Sequence, residues 1–141
     1  ENVKFCKVVL EKPEKIAQIA ERCRGRIAPW AGHDRLTYLM LLYGATGMTS
    51  AASCIVPREN SEMFDLVRQG RLDEARRIFL STIAPLNAIA FYTVLDYIAA
   101  YKLAAHWMGL IASPAVRKPL LQLDETMQRE LRGTLKLIGK L

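Results

Sequence analysis

Residues 3–9 read VKFCKVV, a short apolar run with a lysine close to its end. In an extended segment alternate side chains point to opposite faces, so Val3, Phe5 and Lys7 share one face, with Lys7 at the carboxyl end. This run predicts a first β-strand. A charged side chain at the end of a strand that otherwise favours burial makes Lys7 the residue that most needs a functional explanation.

The residues after this strand predict a helix. Pro13 suits the first turn of a helix, and Glu14 favours the positive end of the helix dipole. The inward positions repeat with helical spacing and are Ile16, Ile19, Ala20 and Cys23. Arg22, Arg24 and Gly25 supply the stop signals.

Two further strand and helix pairs follow. RIAPWAG, residues 26–32, predicts a second strand, and residues 34–43 predict a helix with Asp34 as its N-cap. GMTSAAS, residues 47–53, predicts a third strand, and the next helix opens at Pro57 and ends at Gly70. This β-α-β-α-β-α order indicates an α/β fold with parallel strands joined by right-handed crossovers.

From residue 71 onward the sequence carries only helical patterns. The predicted helices cover residues 72–91, 96–110 and 124–141. We therefore divide the chain into β/α units over residues 1–70 and a helical region over residues 71–141.

Composition argues against two classes of partner. The net charge is +6, but the basic residues are scattered and are not interleaved with aromatic side chains, so we expect no nucleic acid. Residues 78–95 form an uncharged run as long as a short membrane span. This run also contains Ser81, Thr82, Pro85, Asn87 and Thr93, which favour buried helices over a membrane segment.

Three cysteines, widely spaced, form neither a zinc pattern nor a disulfide framework. They favour a reducing, cytoplasmic setting. GATGMTS, residues 44–50, lacks the further glycine and the lysine of a phosphate-binding loop. We expect no metal and no cofactor.

Lys7 has the position of a catalytic group. Barrels of parallel strands place their catalytic side chains at the carboxyl ends of the strands. A lysine amine attacks a ketone only in its neutral form, and an apolar pocket favours that form. Val3, Phe5, Val8 and Val9 are the residues that we expect to line such a pocket. The alternative is a surface lysine whose amine reaches solvent.

His33 and Asp34 follow the second strand, again at its carboxyl end. The pair could bind polar groups of a substrate. The alternative is a loop histidine beside an N-cap aspartate.

Five segments in order resemble one enzyme family. They are VKFCK, WAGHD, GATGMTS with CIVP, RQGRLDEAR and VRKPL. This series is similar to the C-terminal half of the dihydrodipicolinate synthase and N-acetylneuraminate lyase family. The resemblance implies the C-terminal part of a (β/α)8 TIM barrel, strands 6 to 8, followed by a C-terminal helical extension.

The same resemblance implies a function for this chain. Lys7 would form a Schiff base with pyruvate or a related 2-oxo acid in a lyase or synthase reaction. Gly32, His33 and Asp34 on the seventh strand, and Thr49 and Ser50 on the eighth, would bind the substrate. The family's carboxylate-binding threonine pair and proton-relay tyrosine would lie upstream of residue 1, in the remainder of the barrel. A homo-oligomer, a dimer or a tetramer, is also implied.

Two departures from the family pattern leave the reaction open. His33 replaces the first of two acidic residues usual in the synthases, and YIAA, residues 97–100, replaces their Asn-Pro-x-Pro segment. A sugar-acid aldolase, lyase or dehydratase therefore stands beside the synthase. A non-enzymatic helical binding module on the same scaffold is the alternative from another class.

Overall fold

The structure is a computed structural model, and it describes residues 2–91 and 96–141. Its sheet has three strands in the order β1-β2-β3, and both neighbouring pairs are parallel. The strands are β1 Phe5–Val8, β2 Ala28–Ala31 and β3 Gly47–Met48. The prediction of parallel strands is confirmed, and their carboxyl ends lie at one edge of the sheet.

Each strand is followed by a helix. The helices are α1 Lys15–Cys23, α2 Thr37–Leu42 and α3 Pro57–Arg68. A 3-10 turn precedes α2 at Asp34–Leu36, and another precedes α3 at Ala51–Cys54. The sequence predicted all three helices.

Helices cover one face of the sheet. Val8 and Ala31 are register partners on this face, and they pack against Ile16 of α1 and Met40 of α2. All four side chains are buried. This small apolar cluster fixes the helices to the back of the sheet.

The opposite face of the sheet, which we call the open face, carries Phe5, Lys7 and Trp30. Phe5 is 56% exposed, and its ring stacks on Trp30 with centroids 4.5 Å apart. Parallel sheets are normally covered on both faces or closed into a barrel. A stacked aromatic pair on the open face has the character of an interior surface.

The third strand is shorter than predicted. It covers Gly47–Met48, whereas the sequence predicted residues 47–53. The Thr49 N–H still donates to the carbonyl of Ala31 at 2.8 Å, after which the chain turns into the 3-10 segment. The stretch GMTSAAS predicted a longer strand, but the turn satisfies backbone groups that a longer strand would leave at the sheet edge.

Asp34 does not cap the helix that it precedes, so the N-cap prediction is wrong. Its carboxylate Oδ1 accepts hydrogen bonds from the Ser50 hydroxyl at 2.5 Å and from the Ala52 N–H at 2.9 Å. Asp34 is 6% exposed. The side chain therefore ties the end of β2 to the turn that follows β3.

The helical region contains four helices among the described residues. They are α4 Leu72–Ile78, α5 Ala84–Ala90, α6 Asp96–Trp107 and α7 Glu125–Leu137. A π-helical stretch, Phe79–Ile83, joins α4 to α5. Pro85 has no N–H for the carbonyl four residues earlier, which explains why the helix widens just before it. The predicted helix over residues 72–91 is thus helical but interrupted.

One apolar core joins the β/α units to the helical region. Tyr38 and Met63 from the first part share it with Ile83, Leu86 and Leu131 from the second. The Tyr38 hydroxyl also donates to the carbonyl of Leu72 at 3.1 Å. The division at residue 70 stays a prediction, because a shared core neither requires nor excludes it.

In the described part of the chain, the structure contains no helix long and apolar enough to cross a membrane. The uncharged run of residues 78–95 includes the end of α4, the π-helical stretch and α5. Residues 92–95 lie outside the described residues.

The contacts of Asp34 predict a large effect on stability. Asp34→Ala removes the acceptor of two hydrogen bonds and leaves the N–H of the fully buried Ala52 unpaired, so we expect a loss of about 2–3 kcal/mol in the free energy of unfolding. Urea denaturation of the full-length protein measures this loss. Asp65→Ala, an exposed carboxylate on α3, is the control and should cost much less. Equal losses in both variants would contradict the role of Asp34.

The chain end is tied to α3 by an ion pair that should respond to pH. Lys140 Nζ donates to Glu59 Oε1 at 2.6 Å. Burial raises the pKa of Glu59, but the hydrogen bond from Lys140 and the charges of Lys140 and Arg58 outweigh it, so the pKa lies below its ordinary 4.5. Stabilisation by a carboxyl with a lowered pKa is present above its unfolded pKa and is lost as the pH falls through the folded value.

We therefore expect Lys140→Met to lower the free energy of unfolding by about 1 kcal/mol at neutral pH. The difference from wild type should shrink in acid, because protonated Glu59 no longer pairs with Lys140. Urea denaturation across a pH series tests this, with Lys136→Met on the exposed side of α7 as the control. A difference that persists unchanged in acid would show that the ion pair is not its source.

Candidate functional site

A cavity of about 370 Å³ lies at the carboxyl ends of the strands. This volume is within the range of small-molecule sites. Its walls come from the ends of β1 and β2, from the turn after β3 and from the helical region, through Lys7, Val9, Glu11, Gly32, His33, Asp34, Arg35, Ala51, Phe91 and Tyr97. Four of the six predicted site residues, Lys7, Gly32, His33 and Asp34, thus line one cavity, whereas Thr49 and Ser50 do not line it.

The side chain of Lys7 lies directly across Gly32. A Cβ atom at position 32 would stand 2.5 Å from Lys7 Cγ and 2.6 Å from Lys7 Cε. Such distances are far below van der Waals contact, so only glycine allows the lysine this path. Gly32 also continues the ladder, because its N–H donates to the carbonyl of Val8 at 3.0 Å. The neighbouring strand therefore directs the lysine.

The same arrangement recurs one strand further along. Trp30 is the register partner of Gly47, and a Cβ atom at position 47 would stand 2.7 Å from the indole ring. The indole therefore lies over Gly47 while it stacks on Phe5. Phe5 and Trp30 form a layer of side chains on the open face, over Gly47 and next to Lys7.

The apolar pocket predicted around Lys7 does not form within the described residues. Val3 is 63% exposed and Val9 is 55% exposed, and Lys7 itself is exposed. Val8 is buried, but it lies on the covered face of the sheet, opposite to Lys7. A single sheet layer cannot enclose a side chain on its open face, which is why the expected lining is incomplete.

Two polar atoms near the strand ends are buried without a partner. His33 Nδ1 and Thr49 Oγ1 have no hydrogen-bond partner among the described residues. Buried polar atoms normally pair, so each of these atoms has unused capacity to bind a ligand or a further residue. Ser50, by contrast, donates its hydroxyl hydrogen to Asp34.

An ionic group stands at the entrance of the cavity. Arg35 Nη2 donates to Glu11 Oε1 at 2.8 Å, and His33 Nε2 lies 3.6 Å from the same oxygen. The Arg35 guanidinium also lies 5.9 Å from the centre of the Phe91 ring, within reach of a cation–π interaction. Phe91 in turn stacks on Tyr97 at 4.9 Å. The entrance thus combines one arginine, one carboxylate and two aromatic rings.

The sequence did not point to Glu11, Arg35, Phe91 or Tyr97 as site residues. Glu11 and Arg35 each come shortly after a strand, which is a signal that could have found them. Phe91 and Tyr97 come from the helical region, and only tertiary packing brings them to the strand ends.

A buried tyrosine lies behind the cavity. The Tyr101 hydroxyl donates to Asn87 Oδ1 at 2.6 Å. Burial and the nearby charge of Asp34 raise the pKa of Tyr101 well above its ordinary value, so the phenol keeps its proton. Tyr101 is thus a neutral hydrogen-bond donor. Over residues 2–91 and 96–141, no group of three histidine, cysteine, aspartate or glutamate side chains is arranged to hold a metal.

Known proteins match both the sequence and the fold. The profile of the Dihydrodipicolinate synthetase family matches residues 1–138. The 4-hydroxy-tetrahydrodipicolinate synthase of Pelobacter propionicus is 33% identical over 126 residues, which are 89% of this chain and 42% of that protein.

Two solved structures extend the match to the fold. The 4-hydroxy-tetrahydrodipicolinate synthase of Methylacidiphilum fumariolicum SolV is 27% identical with a TM-score of 0.88, over 99% of this chain and 45% of that one. The dihydrodipicolinate synthase of Acinetobacter baumannii, solved in complex with pyruvate, is 27% identical with a TM-score of 0.86, over 99% of this chain and 47% of that one. The three β/α units and the helical region therefore match part of such enzymes.

This chain spans less than half the length of these relatives. The family profile nevertheless covers nearly all of it, and the fold of nearly the whole chain matches that of the solved synthase from Methylacidiphilum fumariolicum SolV. The chain belongs to the dihydrodipicolinate synthetase family.

Proposed function

We propose that this chain is the lysine-bearing part of a class I enzyme that makes or breaks a bond next to the keto group of pyruvate or a related 2-oxo acid. The observation that carries the proposal is the path of Lys7 across Gly32 into the cavity at the strand ends. A lysine that only reached for solvent would need no glycine on the next strand.

The proposed reaction begins at Lys7 Nζ. The neutral amine adds to the keto carbon, and loss of the keto oxygen as water leaves a protonated imine. This cation withdraws the electron pair of an adjacent bond, which gives an enamine. A carbon–hydrogen bond loses its hydrogen as a proton, and a carbon–carbon bond breaks as the hydroxyl on the far carbon loses its proton and leaves as the carbonyl of an aldehyde. In the synthase direction the enamine carbon attacks an aldehyde, the aldehyde oxygen takes up a proton, and water releases the product from the imine and restores the amine. In the lyase direction the enamine takes up a proton, and water then releases the 2-oxo acid and restores the amine.

We propose that β1, β2 and β3 are strands six to eight of a (β/α)8 barrel. The rest of the barrel would cover the open face, so that Phe5 and Trp30 become interior residues and the surroundings of Lys7 become apolar. Exclusion of water there would favour the neutral amine. The complete enzyme would be a homo-oligomer, a dimer or a tetramer, as the family resemblance implies.

The five remaining predicted site residues are proposed to act in two ways. His33 would bind the substrate, because it lines the cavity and its Nδ1 is unpaired within the described chain. Thr49 does not line this cavity, and its unpaired Oγ1 would reach the substrate only if the site of the complete barrel extends across the end of β3. Gly32, Asp34 and Ser50 would hold the site in shape, because Gly32 seats Lys7 and the other two bind each other. These roles modify the expectation that all five bind substrate directly.

The synthase of Acinetobacter baumannii was solved in complex with pyruvate, which supports pyruvate as the substrate of this chain's complete enzyme. The named relatives are synthases. His33 stands where the synthases usually have an acidic residue, so a sugar-acid aldolase, lyase or dehydratase reaction is the alternative. No feature of the described residues supports a non-enzymatic binding module.

Borohydride trapping with pyruvate tests the assignment of Lys7. In the full-length enzyme we expect a stable adduct on Lys7, identified by mass spectrometry of the digested protein. The 141-residue chain alone should give none, because its open face leaves Lys7 in water. Lys7→Ala should abolish the adduct, whereas Lys4→Ala, an exposed lysine of the same segment, should not. An adduct on another lysine would remove the assignment.

The role of Gly32 gives a second prediction. Gly32→Ala places a methyl group where Lys7 Cγ and Cε now lie, so the lysine must take another path and trapping should fall at least about tenfold. Gly133→Ala is the matched control, because a Cβ atom there meets nothing within 4 Å and alanine favours the helix. Unchanged trapping in Gly32→Ala would show that Gly32 does not direct Lys7.

A further inference from the structure

We propose that Arg35 binds a second anionic group of the substrate, at the end remote from the keto carbon. The substrate class would then be 2-oxo acids with a second carboxylate. This inference rests on the proposed function of Lys7 and adds the specificity of the same site.

The position of Arg35 separates it from the reacting carbon. Gly32 lies under the stem of Lys7, and Arg35 comes three residues later, in the 3-10 turn before α2, on the wall of the same cavity. The side chain of Arg35 is 47% exposed and pairs with the exposed Glu11, so it lies at the rim of the cavity. A group bound by Arg35 would then be a second group of a molecule whose keto carbon has reached Lys7.

The present partner of Arg35 is easily exchanged. Glu11 is 71% exposed, and solvent-exposed ion pairs contribute little to stability. A substrate carboxylate offers the same acceptor oxygens as Glu11 and can take its place. The Arg35–Glu11 pair thus resembles a carboxylate site that the chain's own side chain fills when no substrate is bound.

Two neighbours prepare Arg35 for such a ligand. The Phe91 ring lies 5.9 Å from the guanidinium carbon and limits its movement without using its N–H donors. A fixed planar guanidinium can bind both oxygens of a carboxylate. His33 would add a second donor when its Nε2 carries a proton, since this atom lies 3.6 Å from the oxygen that Arg35 contacts.

The nearby carboxylate of Asp34 does not compete for Arg35. Asp34 accepts hydrogen bonds from Ser50 and Ala52 and is buried, and among the described residues Arg35 pairs with Glu11 and not with Asp34. Glu11 is therefore the carboxylate at the entrance that a second anionic group must displace. This arrangement predicts opposite effects for changes at Arg35 and at Glu11.

The test is borohydride trapping on Lys7 of the full-length enzyme with two probes, 2-oxoglutarate and 2-oxobutanoate. Both carry a keto group beside a carboxylate, but only 2-oxoglutarate has a second carboxylate. Arg35→Met should raise the half-saturating concentration of 2-oxoglutarate about 10- to 100-fold, as expected for lost hydrogen bonds to a charged group. The value for 2-oxobutanoate should stay close to that of wild type.

Glu11→Gln should lower the half-saturating concentration of 2-oxoglutarate, because it removes the competing charge. The half-saturating concentration of 2-oxoglutarate for Arg35→Lys should lie between those of wild type and Arg35→Met. Lysine keeps the positive charge, but it lacks the paired guanidinium N–H donors that bind both carboxylate oxygens. Arg71→Met is the matched control, since Arg71 forms a similar exposed pair with Glu74 outside the cavity. It should change neither value.

Three outcomes would overturn the inference. If Arg35→Met raises the half-saturating concentrations of both probes equally, Arg35 has only a structural role. If Arg35→Met changes the half-saturating concentration of neither probe, Arg35 does not bind the substrate. If Glu11→Gln raises the half-saturating concentration of 2-oxoglutarate, the Arg35–Glu11 ion pair supports the site instead of competing with the substrate. In all three cases pyruvate still traps on Lys7, so the proposed function stands. Absence of any adduct on Lys7 in wild type would overturn both.

Discussion

Parallel pairing of the three strands is the constraint on which the site depends. Val8 pairs with Ala31, and Trp30 with Gly47, in a continuous register across the sheet. Because all three strands run in the same direction, the residues that follow them meet at one edge. Lys7 and Gly32 come together there although 25 positions separate them in the sequence. An antiparallel neighbour would have sent the second strand's end to the far side of the sheet.

Two glycines convert this edge into a directed site. Gly32 has no Cβ atom to clash with the stem of Lys7, and Gly47 has none to clash with the indole of Trp30. In both cases a large side chain on the open face leans over the next strand, and the absence of a Cβ atom there creates the space. The side chain of Lys7 occupies the space that a side chain at position 32 would fill. The stacked rings of Phe5 and Trp30 lie next to it on the open face.

The two carboxylates at the cavity serve different ends. Asp34 is buried and joins the end of β2 to the turn after β3, which makes it part of the frame. Glu11 is exposed and pairs with Arg35, a contact that costs little to break. The helical region takes part through Phe91, which connects it to the arginine at the entrance. The helices therefore contribute to the site as well as to the core behind the sheet.

The sequence by itself determined the alternation of strands and helices, the parallel sheet and the place of Lys7 at a strand end. These features follow from local periodicity, caps and glycine positions, which act over a few neighbouring residues. Tertiary structure decided where the third strand stops, because Asp34, which lies after β2, binds Ser50 and Ala52 in the turn that follows β3. It also decided that Asp34 is no helix cap and that Arg35, Glu11 and Phe91 meet at the entrance. Those outcomes depend on contacts between residues far apart in the chain, which no local pattern encodes.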